Sequence, residues 1–190
     1  MSSREHGRDT PKHLRIAVLV VSDTRAAAAR EGRDEDISGK LFEQKARELG
    51  HITTRLIVPD EASEIIRAVK KFIADEKIDA VVTTGGTGVA NRDVTIETIQ
   101  PMFEKELPGF GEILRRIGYE KVGTPALLTR ASAGIIKRKP VFCLPGTPNA
   151  VEVAAGLILP ELWQILKHAR EGQLCRHLTQ QGEVLDRTER

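Results

Sequence analysis

Short apolar runs alternate with amphipathic stretches through the first half of the chain. Residues 14–21 (LRIAVLVV), 52–58 (ITTRLIV) and 78–84 (IDAVVTT) are rich in β-branched residues, a composition that predicts strands buried within a sheet. Residues 61–76 instead place apolar side chains every three or four positions, which predicts a helix with one buried face. Residues 38–49 predict a second helix, because Gly50 then follows as a suitable C-terminal cap.

This alternation of strands and helices predicts an α/β fold with three layers, in which a mostly parallel central sheet carries helices on both faces. In such sheets, ligands bind at the carboxyl ends of the strands. We therefore expect a binding site at the loops of residues 22–24, 59–61 and 85–93. Residues 25–37 (RAAAAREGRDEDI) have only weak periodicity and predict a mobile surface segment.

The second half of the chain is less regular. Residues 95–118 predict two helices separated at Leu107-Pro108-Gly109, and residues 140–144 (PVFCL) predict a short strand. Two helical segments are predicted from Asn149 onward, the second of which opens at Pro160, since proline suits the first position of a helix.

The periodic pattern divides the chain into one domain and two tails. Residues 14–170 form the predicted domain, whereas residues 1–13 and 171–190 lack apolar periodicity and are predicted to be tails. We find no internal repeat and no linker between domains.

Composition limits the kinds of partner. The 190 residues contain 29 Lys and Arg against 27 Asp and Glu, a formal net charge of +2. Proteins that bind nucleic acid through its backbone carry a large excess of basic residues, so the balance argues against a nucleic-acid partner. No run approaches the ~20 apolar residues of a membrane span, and residues 1–13 contain no apolar stretch of a signal peptide. We therefore expect a cytoplasmic protein.

The cysteines and histidines do not indicate a disulfide or a zinc site. A chain of this length can bury a sufficient core without cross-links, so Cys143 and Cys175 are interpreted as free thiols. The five histidines show no metal-ligand spacing.

The strongest local feature is the glycine-rich loop within TTGGTGVANRDVT, residues 83–95. Glycines at the end of a strand let backbone N–H groups approach phosphate oxygens, although such a cluster is often a simple tight turn. The loop matches neither GxGxxG nor GxxxxGK[ST]. Downstream, Arg92 could pair with a phosphate, and Asp93 could hold Mg²⁺ beside it.

Two more acids follow predicted strands, namely Asp23 and Asp60. Together with Asp93 they suggest a site for a metal ion and phosphate, but each has a simpler interpretation as a helix cap or turn residue. The Pro145-Gly146-Thr147-Pro148 segment could bind an anion at a helix N-terminus. On the sequence alone, a proline-rigidified connection is the favoured interpretation of that segment.

Seven ordered motifs together resemble the MoaB/MogA family of molybdenum cofactor biosynthesis proteins, and are closest to its MoaB branch. They are VSDTR at 21–25, DISG at 36–39, PDE at 59–61, TTGGTG and RDVT within 83–95, PGFGE at 108–112, LTRASAG at 128–134 and LPGTPNAV at 144–151. The resemblance implies a MogA/MoaB-like fold. It also implies an adenylyltransferase that uses ATP and Mg²⁺ to convert molybdopterin into adenylyl-molybdopterin and pyrophosphate.

The resemblance also implies roles for individual residues. Asp60 and Asp93 correspond to the acids required by active members of the family, where they would hold Mg²⁺ or position the reacting phosphates. The nucleotide- and molybdopterin-binding residues that it implies are Ser22, Asp23, Ser38, Gly85, Gly86, Thr87, Gly88, Arg92, Thr129, Arg130, Pro145, Gly146 and Thr147.

Three positions depart from the family pattern. Ile96 replaces a helix-opening proline, Gly118 replaces a frequent serine, and Thr129 keeps the hydroxyl of a usual serine. Because some MoaB-branch members lack the PDE acid, the presence of Asp60 favours an active enzyme.

Alternatives to that enzyme are a non-catalytic molybdopterin-binding or scaffold protein of the same family, or a relative of CinA-type pyrophosphate hydrolases and molybdate-inserting proteins. The resemblance further implies a homotrimer or homohexamer that contacts other cofactor-biosynthesis proteins.

Overall fold

A six-stranded sheet forms the centre of the computed structural model, which describes residues 13–171. The strands are β1 (Arg15–Val21), β2 (Ile52–Val58), β3 (Ala80–Thr84), β4 (Lys105–Glu106), β5 (Ser132–Ile136) and β6 (Lys139–Leu144). Their spatial order is β2-β1-β3-β6-β5-β4. The first four strands in this spatial order, β2, β1, β3 and β6, are parallel, whereas β5 pairs antiparallel with both β6 and β4. The predicted mostly parallel sheet is confirmed.

Helices cover both faces of this sheet. They are α1 (Asp23–Arg30), α2 (Ser38–Glu48), α3 (Ala62–Ala74), α4 (Thr95–Ile99), α5 (Pro108–Val122) and α6 (Pro148–Glu171), with 3₁₀ turns at Gln100–Met102 and Thr124–Leu128. One core contains buried side chains of α2, α5 and α6, and the other contains those of α3 and α4. The three-layer α/β architecture is thus the predicted one.

Burial explains why the central strands lack polar alternation. From Ile16 to Val21, no residue of β1 is more than 2% exposed, since both of its faces are covered by helices. Edge strand β2 alternates between exposed and partly buried positions. Its last residue, Val58, pairs with Val21 at the end of β1, which places the loops after both strands side by side.

The prediction of a mobile segment is wrong for residues 25–30, because α1 covers Asp23–Arg30, whereas residues 31–37 form the non-helical connection to α2. Ser22 is the N-cap, and its side chain accepts a hydrogen bond from the Arg25 N–H at 3.4 Å. Alanine has the highest helix propensity of any residue type, and four alanines follow one another at residues 26–29. Ala26 and Ala28 are buried, but alanines show little contrast with polar neighbours, so the apolar periodicity is weak.

The predicted break in the C-terminal helix at Pro160 is also wrong. Helix α6 has 24 residues in total and continues through Pro160 without a break. A proline inside a helix removes the hydrogen bond to the carbonyl four residues earlier, here that of Gly156. Buried residues on both sides of the proline, from Val151 to Leu166, lie against one core, so their packing offsets the lost bond.

Strands β4 and β5 are absent from the sequence prediction. The LTRASAG stretch that leads into β5 contains small and polar residues rather than a β-branched run. Gly134 in β5 packs closely beneath Phe103, whose ring atom would lie 2.4 Å from a Cβ at that position. A small residue is therefore required where strand propensity would favour a large one.

The predicted tails, residues 1–13 and 171–190, lie outside the described residues except for His13 and Glu171, and they remain predictions. Cys175 also lies outside them. Cys143 is a buried free thiol, and burial raises its pKa to about 12, so it is not a nucleophile near neutral pH. Within residues 13–171, no helix is long and apolar enough to cross a membrane.

Candidate active site

A cleft of about 360 Å³ opens at the carboxyl ends of the parallel strands. This is the edge at which the sequence predicts ligand binding. Its lining is drawn from the loops after β1, β2, β3 and β6 and from residues near β5. The lining residues are Val21, Ser22, Asp23, Thr24, Arg25, Asp60, Gly85, Gly86, Thr87, Gly88, Arg92, Asp93, Leu128, Arg130, Pro145, Gly146 and Thr147.

Two of the predicted acids are bonded to each other's backbone. The Asp23 N–H donates to Asp60 Oδ2 at 2.9 Å, and the Asp60 N–H donates to Asp23 Oδ1 at 3.0 Å. The Ser22 N–H also donates to the Val58 carbonyl at 2.9 Å. These bonds fix the loops after β1 and β2 against each other, so both carboxylates have defined positions in the cleft.

The glycine-rich loop requires glycine for steric reasons. Gly85 and Gly86 have φ values of 96° and 61°, a region that side chains disfavour. A Cβ at Gly85 would lie 2.2 Å from the Val21 carbonyl oxygen, and one at Gly86 would lie 2.7 Å from Asp60 Oδ1. The loop therefore passes directly over the end of β1 and beside the Asp60 carboxylate.

Asp93 closes the far end of this loop. Its Oδ2 accepts a hydrogen bond from the Ala90 N–H at 2.9 Å, and a Cβ at Gly88 would lie 2.6 Å from the same oxygen. Thr95, at the start of α4, donates its hydroxyl to the Gly85 carbonyl at 2.9 Å. The loop is thus bordered by Asp60 near Gly86 and by Asp93 near Gly88.

Arg130 connects the glycine loop to α4. Its Nη1 donates to the Gly88 carbonyl at 2.8 Å, and its Nη2 bonds to Glu97. The bond with Arg130 lowers the pKa of Glu97. The guanidinium therefore lies at the cleft wall, beside the loop and in a fixed orientation.

The Pro145-Gly146-Thr147 loop forms the wall opposite. The Gly85 N–H donates to the Leu144 carbonyl at 3.1 Å, and a Cβ at Gly146 would lie 3.1 Å from the Gly85 Cα. Thr147 caps α6, since its hydroxyl accepts from the Ala150 N–H at 3.4 Å. The structure thus places this segment in the cleft at a helix N-terminus, where anions are favoured.

The electrostatic environment of Asp60 disfavours its ionised form. Burial raises the pKa of Asp60, and the charges of Asp23 and Asp93 add to that rise, while the hydrogen bond from the Asp23 N–H and the charge of Arg92 oppose it. Such mutual repulsion among carboxylates favours a bound cation. Among the described residues, no group of three or more His, Cys, Asp or Glu side chains could hold a metal ion. A cation here would need further oxygen ligands from a phosphate.

Two predicted site residues lie outside the cleft. Ser38 is 1% exposed and donates its hydroxyl to the Gly146 carbonyl at 2.7 Å, so it lies behind the cleft wall. Thr129 lines a second cavity of about 230 Å³, which also contains Gly118 and shares Thr147 with the cleft. Its other lining residues are Leu114, Lys121, Val122, Asn149, Ala150 and Val153.

Four cleft residues were not among the predicted site residues, namely Val21, Thr24, Arg25 and Leu128. Thr24 and Arg25 belong to the VSDTR motif. They enter the cleft because α1 begins at Asp23 and turns its first residues over the end of β1. The alanines of α1 and its Ser22 cap are the sequence signals that could have predicted Thr24 and Arg25 as cleft residues.

Comparison with known proteins agrees with this geometry. A family model described as "Probable molybdopterin binding domain" matches residues 17–164. The chain is 45% identical over 174 residues to "Molybdenum cofactor biosynthesis protein B" of Bacillus subtilis (strain 168), covering 90% of this chain and 99% of the relative. It is also 45% identical over 175 residues to "Molybdopterin adenylyltransferase" of Pyrococcus furiosus, covering 90% and 100% respectively.

The fold comparison gives the same result. The crystal structure of the "tungsten cofactor synthesizing protein MoaB" from Pyrococcus furiosus superposes with a TM-score of 0.74 at 44% identity, covering 85% of this chain and 99% of that one. The match extends over nearly the whole of each relative, including the strand ends that form the cleft. The chain therefore belongs to the MoaB/MogA family of molybdenum cofactor biosynthesis proteins, built on the molybdopterin-binding domain.

Proposed function

We propose that the chain is a molybdopterin adenylyltransferase, which transfers AMP from ATP to molybdopterin in a Mg²⁺-dependent reaction. The terminal phosphate of molybdopterin supplies the attacking oxygen, which forms a new bond to the α-phosphorus of ATP. The bond from that phosphorus to the bridging oxygen breaks, so adenylyl-molybdopterin forms and pyrophosphate leaves. No covalent intermediate with the protein is needed.

The glycine loop is suited to hold the nucleotide phosphates. Gly86 and Gly88 line the cleft without side chains that would keep a ligand away from their backbone N–H groups, whereas the Gly85 N–H is already bonded to the Leu144 carbonyl. The N-terminus of α1 lies beside them and contributes a favourable dipole. Arg92 and Arg130, both in the cleft lining, add charges that can pair with phosphate oxygens.

Asp60 and Asp93 fit Mg²⁺ as a donor pair. Mg²⁺ is usually bound through one or two carboxylates together with substrate phosphates, and these two acids border the loop proposed for the phosphates. The raised pKa of Asp60 reflects burial and unbalanced negative charge from Asp23 and Asp93, which a cation would offset. When bound, Mg²⁺ would reduce the repulsion between two anionic substrates.

The second cavity is suited to the pterin. It lies between α5 and the N-terminus of α6, and its lining includes Leu114, Val122 and Val153 together with the hydroxyl of Thr129. Thr147 lines both cavities. A molecule with a ring in the second cavity would therefore present its phosphate near Thr147, facing the cleft.

Catalysis in this arrangement is mostly positioning. Two anionic groups are held in adjoining cavities, and well-oriented reactants need less ordering in the transition state. Phosphoryl and nucleotidyl transfers of this kind depend on charge stabilisation more than on covalent chemistry. The observation that carries the proposal is the Asp60 carboxylate, held by the Asp23 N–H and lying beside Gly86.

A direct assay tests the proposal. The purified full-length chain is incubated with ATP, Mg²⁺ and molybdopterin, and adenylyl-molybdopterin and pyrophosphate are measured in equal amounts. Omission of Mg²⁺ is expected to stop product formation. Saturable binding of molybdopterin without any product, under conditions in which an active relative reacts, would instead identify a non-catalytic binding protein.

The assembly and location of the protein belong to the same proposal. We infer a homotrimer or homohexamer in the cytoplasm that contacts other cofactor-biosynthesis proteins. Exposed apolar side chains at the end of α5 and in the following 3₁₀ turn support an interface: Leu127 is 84% exposed, and Tyr119 is exposed as well. Light scattering on the purified chain gives the mass, and a monomer would contradict the inference.

A further inference from the structure

The DISG motif at residues 36–39 lies outside the cleft, although it is one of the seven motifs that define the family resemblance. Asp36 is 0% exposed and Ser38 is 1% exposed, and neither lines the cleft. A fully buried carboxylate is costly unless it is paired and hydrogen-bonded. The pairing of Asp36 therefore indicates what the motif does.

Asp36 connects the start of α2 to strand β2. Its Oδ1 accepts from the Gly39 N–H at 3.0 Å, and its Oδ2 accepts from Arg55 Nη1 at 2.9 Å. A Cβ at Gly39 would lie 2.3 Å from Asp36 Oδ2, so the motif requires glycine at this position. The first turn of α2 is thereby held against Arg55.

Arg55 is itself held by several acids. Its Nε donates to Glu43 Oε2 at 3.0 Å, and its Nη1 donates to Asp34 Oδ1 at 3.2 Å. Hydrogen bonds to Asp34 and then Glu43 raise its pKa, while burial opposes the rise. The guanidinium is consequently a fixed cation between β2 and α2, and it provides the buried Asp36 with a rigid counter-charge.

Ser38 connects the first turn of α2 to the cleft wall. Its hydroxyl donates to the Gly146 carbonyl at 2.7 Å. Gly146 lies between Ser38 and the Gly85 Cα, and the next residue, Thr147, caps α6. The orientation of the Gly146 peptide therefore depends on Ser38, and the N-terminus of α6 follows directly from it.

We propose that Ser38, together with Asp36 and Arg55 behind it, positions the Pro145-Gly146-Thr147 loop to bind the terminal phosphate of molybdopterin. This inference rests on the proposed function. None of the three residues contacts the substrate, so they are positioning residues. The phosphate of molybdopterin is assigned here because Thr147 lines both the cleft and the cavity proposed for the pterin.

Substitution of Ser38 by alanine tests the inference. Ser38→Ala removes one hydrogen bond and leaves the α2 backbone unchanged. We expect the dissociation constant for molybdopterin to rise about three- to tenfold, the usual effect of one lost hydrogen bond. The dissociation constant for ATP with Mg²⁺ should change less than about twofold. Both constants are measured by equilibrium titration, so the test does not need turnover.

A matched control separates positioning from general stability. Ser132→Ala removes another hydroxyl, which hydrogen-bonds to the Gln100 side chain at 3.4 Å outside the cleft, and it should leave both dissociation constants unchanged. An unchanged molybdopterin affinity in Ser38→Ala, or equal weakening for both substrates, would overturn the inference. Wild-type chain that binds molybdopterin but forms no product would contradict the proposed function and still leave this comparison valid.

A second variant tests the buried pair. Asp36→Asn keeps an acceptor for the Gly39 N–H but loses the charge that faces Arg55. It should weaken molybdopterin binding in the same direction as Ser38→Ala and lower the melting temperature. If Asp36→Asn does not fold, Ser38→Ala alone decides the inference. A folded Asp36→Asn chain with wild-type molybdopterin affinity would remove Asp36 and Arg55 from it.

Discussion

Asp23 and Asp60 each accept a hydrogen bond from the other's backbone N–H. This reciprocal pair uses one oxygen of the Asp60 carboxylate and leaves Oδ1 on the side of Gly86, where a Cβ would lie only 2.7 Å away. The pair of hydrogen bonds therefore has two structural effects. It holds the ends of β1 and β2 together, and it points a carboxylate oxygen at the loop proposed for the nucleotide phosphates.

The Asp60 charge is expected to reduce stability while serving catalysis. Its pKa is raised above the ordinary value of 3.8, first by burial and then by neighbouring acids, so the ionised form is disfavoured in the folded state. Asp60→Asn keeps an acceptor for the Asp23 N–H and removes the charge. We expect a higher melting temperature at pH 7 and at least about a 100-fold loss of adenylylation, typical of a lost charge-stabilising group.

The stability gain should depend on pH. The pKa of Asp60 is higher in the folded chain than in the unfolded chain, so the folded chain binds a proton there at a higher pH. Acidification through this pKa neutralises Asp60 and removes the destabilisation that its charge causes in the wild-type protein. The advantage of Asp60→Asn should therefore be full near neutral pH and shrink as the pH falls toward 4. Thermal unfolding of both chains between pH 7 and 4 measures it, and a gain that grew on acidification would contradict the assignment.

Asp93→Asn should separate catalysis from folding. Asp93 accepts the Ala90 N–H through one oxygen, and asparagine can preserve that bond. We expect turnover to fall at least about 100-fold with an unchanged melting temperature. Asp75→Asn is the matched control, since Asp75 accepts the Lys77 N–H at 2.9 Å before the start of β3, away from the cleft. Equal rates for the two variants would remove Asp93 from the mechanism.

Gly86→Ala should disrupt the site. The residue has a positive φ, and its added Cβ would lie 2.4 Å from Thr95 Oγ1. We expect a loss of about 2–4 kcal/mol in the free energy of unfolding, together with weaker ATP binding. Gly156→Ala is the control: it lies inside α6 with no atom within 4 Å of the added Cβ, and should stabilise the protein by about 0.5–1 kcal/mol. Chemical denaturation measures both.

Arg130→Lys should lower activity without unfolding the chain. Arginine bonds to the Gly88 carbonyl and to Glu97 simultaneously, whereas a lysine has no fork with which to span both groups. A decrease of about tenfold in kcat/KM is expected. Arg116→Lys changes an exposed pair with Glu120 on α5 and should have no effect on kcat/KM. A wild-type value for Arg130→Lys would show that the orientation of the guanidinium is unimportant.

Elements with strong apolar periodicity could be predicted from the sequence. Strand β1 and helix α3 bury apolar side chains along their whole length. The positions of apolar residues in the sequence therefore indicate both elements. Helix α1 could not be found in this way because its buried residues are alanines. Strands β4 and β5 escaped prediction because β4 has two residues and β5 has a glycine under Phe103.

The site was predictable to the extent that it follows from topology. Carboxyl ends of adjacent parallel strands meet at one edge, so the loops containing Asp23, Asp60 and Gly85 had to be neighbours. Ser38 was predicted to line the pocket, but its hydroxyl is turned toward Gly146 behind the cleft wall. Side-chain direction at the first turn of a helix depends on tertiary contacts, which motif spacing does not reveal.

The unbroken course of α6 through Pro160 has a mechanical consequence. A helix of 24 residues is about 36 Å long and begins at the cleft wall beside Thr147. At its other end, Arg170 Nη2 donates to Asp79 Oδ1 at 2.9 Å, and Asp79 Oδ2 accepts the Arg15 N–H at 2.9 Å. The helix thus links the cleft wall to the opposite edge of the sheet, where Arg170 and Asp79 hold its C-terminal end, so we expect that a change at either residue can shift the position of Thr147.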